Sequence, residues 1–182
     1  ETVALEFDLD LAATHVTATL DIVRNGEHDR PVRLDCDGAL PQTLAVDGAP
    51  VNWRSEGQQI AFDLPQPRAT LTLTTQIAPD TNTQLMGLFA SGGMLCTQCE
   101  AEGFRRIIPF IDRPDNMAVY EVLLRADKAR FPVLLSNGAL VDSGDLEGGR
   151  HYARWHDPHP KPSYLFALVA GDLVATRDQF TT

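Results

Sequence analysis

The amino-acid sequence predicts an all-β domain, either a curved and mostly antiparallel sheet or a β-sandwich. Short segments in which apolar and polar residues alternate dominate the chain, and no window of ten or more residues keeps a helical period. In addition, 12 prolines and 13 glycines interrupt the 182 residues, as is typical of strands joined by turns. Neither a repeat nor a linker divides the chain, so we expect residues 1–182 to form a single domain.

The first half of the chain supplies the clearest strand patterns. Five segments place an apolar residue at every second position, as in a strand with one buried face: 3–11, 16–22, 32–36, 60–64 and 71–73. Turn signals such as Asn25-Gly26 separate them. In the first segment Glu6, Asp8 and Asp10 fall between the apolar residues, which indicates that one face of this strand is solvated.

The second half is less regular. Apolar runs at 119–124, 133–135 and 164–169 predict buried strands, and at most a short helical turn is expected near 115–118. The glycine-rich segment 87–112 has no clear strand pattern and carries several charged residues close together. It is far longer than an ordinary connection, so we interpret it as a long functional loop on a rigid β scaffold.

Composition and charge exclude some classes of partner. The chain has 15 lysines and arginines against 25 aspartates and glutamates, a formal net charge of −10. Nucleic acids and anionic membranes are therefore poor partners, because binding them requires clustered cations. The longest apolar run, 165–170, is too short to cross a bilayer. Three cysteines cannot form a disulfide scaffold, and we expect a cytoplasmic location from this odd number.

Gln98 and Glu100 are the candidate binding residues within segment 87–112. They stand two positions apart, so in an extended chain their side chains would project to the same side. Together they offer hydrogen-bond acceptors, whereas an ammonium group carries three donors and no acceptor. A peptide α-amine is largely charged at neutral pH, so the pair predicts a site for such an amine. The alternative is that the acidic residues of this segment simply pair with Arg105 or Arg106.

Three stretches of the sequence resemble one known family. They read GGMLCTQCEAEGFRR at 92–106, DRPD at 112–115 and KPSYLFALVAGD at 161–172. They are similar to the amino-terminal β domain of the bacterial aminopeptidase N family, whose members are zinc metallopeptidases. The resemblance implies an enzyme that removes amino-terminal residues during peptide breakdown. It also implies that Gln98 and Glu100 bind the substrate's α-amine and that the peptide bond between Glu100 and Ala101 is cis.

The catalytic motifs of that family do not occur in this sequence. Neither the H-E-x-x-H zinc motif nor the G-x-M-E-N strand is present. The resemblance therefore implies that zinc is bound by a catalytic domain that lies beyond residue 182. We expect the chain itself to hold no catalytic residue and no metal ligand, and to be inactive alone. We also expect an exposed apolar patch near segment 87–112, where the catalytic domain would pack.

Other interpretations remain open at the level of the residues. Cys96 and Cys99 form a C-x-x-C pair, for which a metal or redox role is the alternative to packing thiols. His156 and His159 are interpreted as surface histidines. An all-β fold with a functional loop also fits a non-enzymatic β-sandwich module that binds proteins or sugars.

Overall fold

The computed structural model describes residues 2–176 and 178–179, most of which lie in strands. Four 3₁₀ helices of three residues each accompany the strands within this part: Pro79–Thr81, Phe104–Arg106, Glu147–Gly149 and Ser163–Leu165. No helix among the described residues is long and apolar enough to span a membrane. The strands in chain order are β1 (Thr2–Asp8), β2 (Thr14–Val23), β3 (Val32–Asp35), β4 (Thr43–Val46), β5 (Ala49–Pro50), β6 (Arg54–Ser55), β7 (Gln59–Phe62), β8 (Arg68–Ile77), β9 (Gly87–Ser91), β10 (Met94–Gln98), β11 (Met117–Asp127), β12 (Val133–Ser136), β13 (Ala139–Leu146), β14 (Arg150–Pro162) and β15 (Leu168–Gly171).

Three sheets make up the fold. The large sheet has eight strands in the order β13-β14-β11-β1-β2-β8-β4-β5. A four-stranded sheet has the order β12-β15-β10-β9, and a three-stranded sheet the order β3-β7-β6. All strand pairs are antiparallel except β1 with β11, which is parallel. The predicted all-β and mostly antiparallel fold class is confirmed.

One hydrophobic core lies between the sheets. The alternating pattern of β1 buries Val3, Leu5 and Phe7, and the other two sheets contribute residues such as Ile60 and Leu95 to the same cluster. Each fully buried side chain of this size stabilises the fold by roughly 1.5–3 kcal/mol relative to an exposed one. The small sheets therefore fold against the large sheet, which fixes the position of β10 and of the residues that follow it.

The outer face of the large sheet is polar. Glu6, Asp8 and Asp10 are about half exposed, as predicted, but each is also paired with an arginine of the surrounding chain. Threonines continue this face across β2 and β8, where Thr17 lies opposite Thr74 in the strand register. This surface is therefore well suited to contact with water.

Segment 87–112 is not the long loop that we expected from the sequence. Its first part is a β-hairpin of β9 and β10, with Ser91 directly opposite Met94. Gly92 and Gly93 form the two-residue turn with φ angles of +59° and +84°. Such a turn requires positive φ at both positions, and glycine adopts it without steric cost. The irregular part of the segment is shorter and begins after Gln98.

The predicted strand at 164–169 is partly wrong. Ser163–Leu165 is a 3₁₀ turn, closed by the hydrogen bond that the Phe166 amide donates to the Ser163 carbonyl at 3.0 Å. The strand that follows, β15, covers Leu168–Gly171 instead. The Ser163 hydroxyl binds Asp112, a contact between residues distant in sequence that local periodicity does not reveal.

At 115–118, where the sequence allowed at most a short helical turn, the structure has a reverse turn and the start of a strand. The Asn116 amide donates to the Arg113 carbonyl at 3.1 Å, which makes a reverse turn there, and β11 begins directly afterwards at Met117. Pairing of β11 with β14 places Met117 and Ala118 in the large sheet. Tertiary strand pairing thus overrides the local sequence preference.

Candidate functional site

Gln98 is the last residue of β10 and Glu100 follows it by two positions, and both side chains are exposed. Cys99 between them is only 3% exposed, so the chain alternates here as an extended segment would. The Gln98 side-chain amide nitrogen donates to the Glu100 backbone carbonyl at 3.0 Å. This bond uses the donor end of the Gln98 amide and leaves its oxygen available as an acceptor.

The Glu100 carboxylate has no ion pair and no hydrogen bond to the part of the chain that the structure describes. The arginines that could have paired with it are bound elsewhere. Arg105 lies 3.5 Å from Glu102 and 3.0 Å from Asp112, and Arg106 lies 2.6 Å from Asp37. The alternative, that the acidic residues of this segment pair with Arg105 or Arg106, therefore holds for Glu102 but is wrong for Glu100.

The backbone reverses direction directly after Glu100. The peptide bond between Glu100 and Ala101 is cis, as the resemblance implies. The Gly103 amide then donates to the Cys99 carbonyl at 2.8 Å, which closes the turn. A Cβ atom at position 103 would lie 2.2 Å from the Gln98 carbonyl oxygen, so only glycine fits this close approach.

The buried carboxylate of Asp112 anchors the turn that follows Glu100. Its side chain is 1% exposed, and one carboxylate oxygen accepts from both the Arg105 amide at 3.2 Å and the Arg105 Nε at 3.0 Å. The other oxygen accepts from the Ser163 hydroxyl. Burial alone would lower the pKa of Arg105, but its hydrogen bond to Asp112 and the nearby carboxylates of Asp35 and Glu102 raise it. The sequence did not indicate this role, although Asp112 lies in one of the stretches that carry the resemblance.

The three cysteines are free and their thiols are poorly ionised. Burial raises the pKa of Cys99 to about 12 and that of Cys36 to about 11, and it also raises the pKa of Cys96. Protonated thiols are weak nucleophiles and weak metal ligands. No group of three or more His, Cys, Asp or Glu side chains within residues 2–176 and 178–179 is placed to hold a metal ion. The described residues thus do not fit a zinc site.

The two histidines that the sequence singled out lie on β14, away from this turn. The His156 ring is 3.8 Å from Glu121 on the neighbouring strand β11. The amide of His159 donates to Asp157 at 3.2 Å, and its side chain is exposed. Neither imidazole is brought to Gln98 or Glu100, in agreement with their interpretation as surface residues.

Comparison with known proteins identifies the class of this domain. The family model described as the Peptidase M1 N-terminal domain matches residues 5–165. Among solved structures, aminopeptidase A of Legionella pneumophila in complex with aspartic acid superposes with a TM-score of 0.87 at 33% identity, over 95% of this chain and 21% of that one. An M1 zinc metallopeptidase of Deinococcus radiodurans, at 19% identity, shares the fold with a TM-score of 0.81 over 94% of this chain and 41% of that chain.

The chain belongs to the M1 peptidase family as its amino-terminal domain. It is 48% identical to aminopeptidase N of Escherichia coli K12 over 98% of its length, and 46% identical to aminopeptidase N of Caulobacter vibrioides over 100%. In both cases it spans 21% of the relative, so it corresponds to about a fifth of those proteins. The alternative of a non-enzymatic protein- or sugar-binding module is not supported.

Proposed function

We propose that this chain is the α-amine recognition domain of a zinc-dependent aminopeptidase that removes amino-terminal residues from peptides. The observation that carries the proposal is the exposed Glu100 carboxylate, which lacks any partner among the described residues, together with the exposed Gln98 amide, whose nitrogen is bound to the Glu100 backbone carbonyl. An acceptor-only group next to a neutral acceptor complements an ammonium ion with its three donors.

The site explains why such an enzyme would act only at the amino terminus. The ammonium would donate to the Glu100 carboxylate and to the Gln98 amide oxygen, which places the first residue of the peptide at a fixed distance from β10. An internal peptide nitrogen is uncharged and carries a single donor, so it would leave the carboxylate uncompensated. Once a neighbouring domain covers the site, the lower local dielectric would strengthen this preference.

The chemistry of bond cleavage is assigned to the remainder of the parent protein. The relatives are about five times longer than this chain, and a structural neighbour is named as a zinc metallopeptidase. In such enzymes zinc supplies an activated water for peptide hydrolysis. We place the zinc ligands and the catalytic domain beyond residue 182, and the isolated chain would be inactive.

Cellular location and pathway belong to the same proposal. A cytoplasmic enzyme in peptide breakdown would keep its cysteines reduced, which agrees with three free thiols, two of them almost fully buried. Peptide amino termini are the partner of the site, whereas the net charge of −10 disfavours nucleic acid and anionic membranes.

The test is replacement of Glu100 in the full-length enzyme. Glu100→Gln keeps the shape but removes the charge, and Glu100→Ala removes both. We expect kcat/KM for peptides with a free amino terminus to fall by roughly 10- to 1000-fold, about 1.4 kcal/mol per decade of transition-state stabilisation. Glu121→Gln on the outer face of the large sheet is the matched control and should leave kcat/KM unchanged. Unchanged kcat/KM in both Glu100 variants would refute the proposal.

A further inference from the structure

The three-stranded sheet contacts the segment that follows the amine site, Gln98 and Glu100, through the end of β3. The Asp35 amide donates to the Phe110 carbonyl at 2.7 Å, and the Phe110 amide donates to the Asp35 carbonyl at 3.0 Å. These two backbone bonds form an isolated bridge between β3 and a segment that has no strand partner of its own. The bridge places Asp35, the last residue of β3, beside the chain that leads to Asp112.

Both carboxylate oxygens of Asp35 have partners. One oxygen accepts from the Asp112 amide at 3.2 Å and lies 3.7 Å from the Arg105 guanidinium. The other accepts from the side-chain amide of Gln59 on β7 at 2.9 Å. The Asp35 side chain is only 18% exposed, and burial of a carboxylate is costly unless partners of this kind replace its water. Asp35 thus contacts both members of the Asp112–Arg105 pair that anchors the turn after Glu100.

Asp37, two residues after the end of β3, binds the same part of the chain. Its amide donates to the Arg105 carbonyl at 3.1 Å, and its carboxylate lies 2.6 Å from the Arg106 guanidinium. Both arginines belong to the 3₁₀ helix Phe104–Arg106, which comes directly after the turn. Segment 35–37 therefore holds consecutive residues of this helix through its main chain as well as its side chains.

Glu56 provides a contrast on the same three-stranded sheet. It pairs with Arg33 at 2.9 Å and with Arg54 at 2.8 Å, so both of its ion pairs stay within this sheet. Exposed pairs of this kind contribute little to stability. The contacts of Asp35 instead leave the sheet and reach Asp112, 77 positions further along the chain. The position of the turn after Glu100 therefore depends on Asp35 and not on Glu56.

We propose that Asp35 is a positioning residue of the amine site. It fixes the Asp112 backbone and the Arg105 guanidinium, and these fix the turn that presents Glu100 to the substrate's amine. None of its contacts with the described residues is with Glu100, so Asp35 acts through the turn and does not touch the amine. This inference rests on the proposed function. It adds the three-stranded sheet to the parts of the domain that determine amine binding.

A double-mutant cycle in the full-length enzyme tests the proposal. We would measure kcat/KM for a peptide with a free amino terminus in the wild type, in Asp35→Ala, in Glu100→Ala and in the double variant. If Asp35 acts by positioning Glu100, Asp35→Ala should lower kcat/KM at least about tenfold in the wild type but less than about threefold in Glu100→Ala. A general disturbance of the structure would lower kcat/KM by the same factor in both backgrounds.

Two further variants separate positioning from loss of charge and from damage to the sheet. Asp35→Asn keeps an oxygen for the Asp112 amide and offers Gln59 a donor, so kcat/KM should stay within about threefold of the wild type. Glu56→Ala is the matched control on the same sheet and should leave kcat/KM unchanged.

Gln59→Met takes the place of Asp35→Ala in the cycle if circular dichroism shows that Asp35→Ala does not fold. It removes only the bond that orients the Asp35 carboxylate. We expect Gln59→Met to lower kcat/KM at least about threefold in the wild type and to cause no further loss in Glu100→Ala.

Three outcomes would overturn the positioning role. The first is unchanged kcat/KM in Asp35→Ala, and the second is an equal loss with and without Glu100. The third is a loss in Asp35→Asn as large as in Asp35→Ala, which would assign the effect to charge instead of position. If Glu100→Ala lowers kcat/KM and Asp35→Ala does not, only the positioning role fails. If Glu100→Ala alone has no effect, the proposed function fails and the positioning role fails with it.

Discussion

Glu100, Glu102 and Asp112 show how the surroundings of a single carboxylate determine what it can do. Asp112 is buried and its oxygens are satisfied by Arg105 and Ser163. Glu102 is 68% exposed and lies 3.5 Å from the same guanidinium. Because Arg105 is already occupied, the exposed carboxylate of Glu100 remains available for a ligand. Its role depends on these neighbours as much as on its own charge.

The buried thiol of Cys99 should make the stability of the protein depend on pH in the alkaline range. Burial raises the pKa of Cys99 to about 12 from an ordinary value of 9.0, with a further contribution from Asp112. The native state therefore holds its proton more tightly than the unfolded state does. The resulting stability is fully present below pH 9 and is lost as the pH rises through the interval between 9 and 12.

We expect the free energy of unfolding of Cys99→Ala to decline less steeply above pH 9 than that of the wild type. The difference in slope should approach about 1.4 kcal/mol per pH unit. Urea unfolding at a series of pH values measures it. Cys36 is the internal comparison, because its thiol still titrates in the variant. Identical slopes in the two proteins would show that Cys99 ionises equally in both states.

At the level of elements, the turn after β10 is held by contacts from distant parts of the chain. The Gly103 amide closes it on Cys99, Asp112 binds Arg105, and Ser163 of the 3₁₀ turn before β15 binds Asp112. The β9–β10 hairpin supplies a rigid base. The turn can therefore present Glu100 in one orientation without using the charge of Glu100 itself.

Asp112→Asn tests this anchoring. The variant keeps the size of the side chain but removes the carboxylate charge that lies closest to the largely buried Arg105 guanidinium. We expect a loss of about 2 to 4 kcal/mol in the free energy of unfolding, measured by urea denaturation. Asp115→Asn, which breaks an exposed ion pair with Arg113, is the matched control and should have no measurable effect. Equal effects of the two substitutions would contradict the anchoring role.

Some secondary-structure elements could be predicted from the sequence and others could not. The strands of the first half follow from strict alternation, and β1, β2 and β8 lie within a few residues of their predicted positions. The β9–β10 hairpin carried a signal that we did not use, because Gly92-Gly93 between short apolar segments is typical of a tight turn. The Ser163–Leu165 turn was not predictable, because it depends on the contact between Ser163 and Asp112.

At the scale of the whole molecule, alternation predicted the fold class but not the arrangement of the sheets. The parallel pairing of β1 with β11 joins segments more than a hundred residues apart, and local patterns carry no information about such a contact. The candidate site was found from Gln98 and Glu100 by donor–acceptor chemistry and by resemblance. That Glu100 lacks a partner among the described residues could be learned only from the structure, since Arg105 and Arg106 stand close in sequence.

The measurement that tests the central claim most directly is a comparison of two inhibitors that differ only in the amine. Leucine and its des-amino analogue would compete with peptide substrate in the full-length enzyme, first in the wild type and then in Glu100→Ala. If Glu100 binds the charged amine, the substitution should weaken inhibition by leucine at least about tenfold and leave the analogue unchanged. Equal weakening of both inhibitors, or of neither, would show that Glu100 does not recognise the amino terminus.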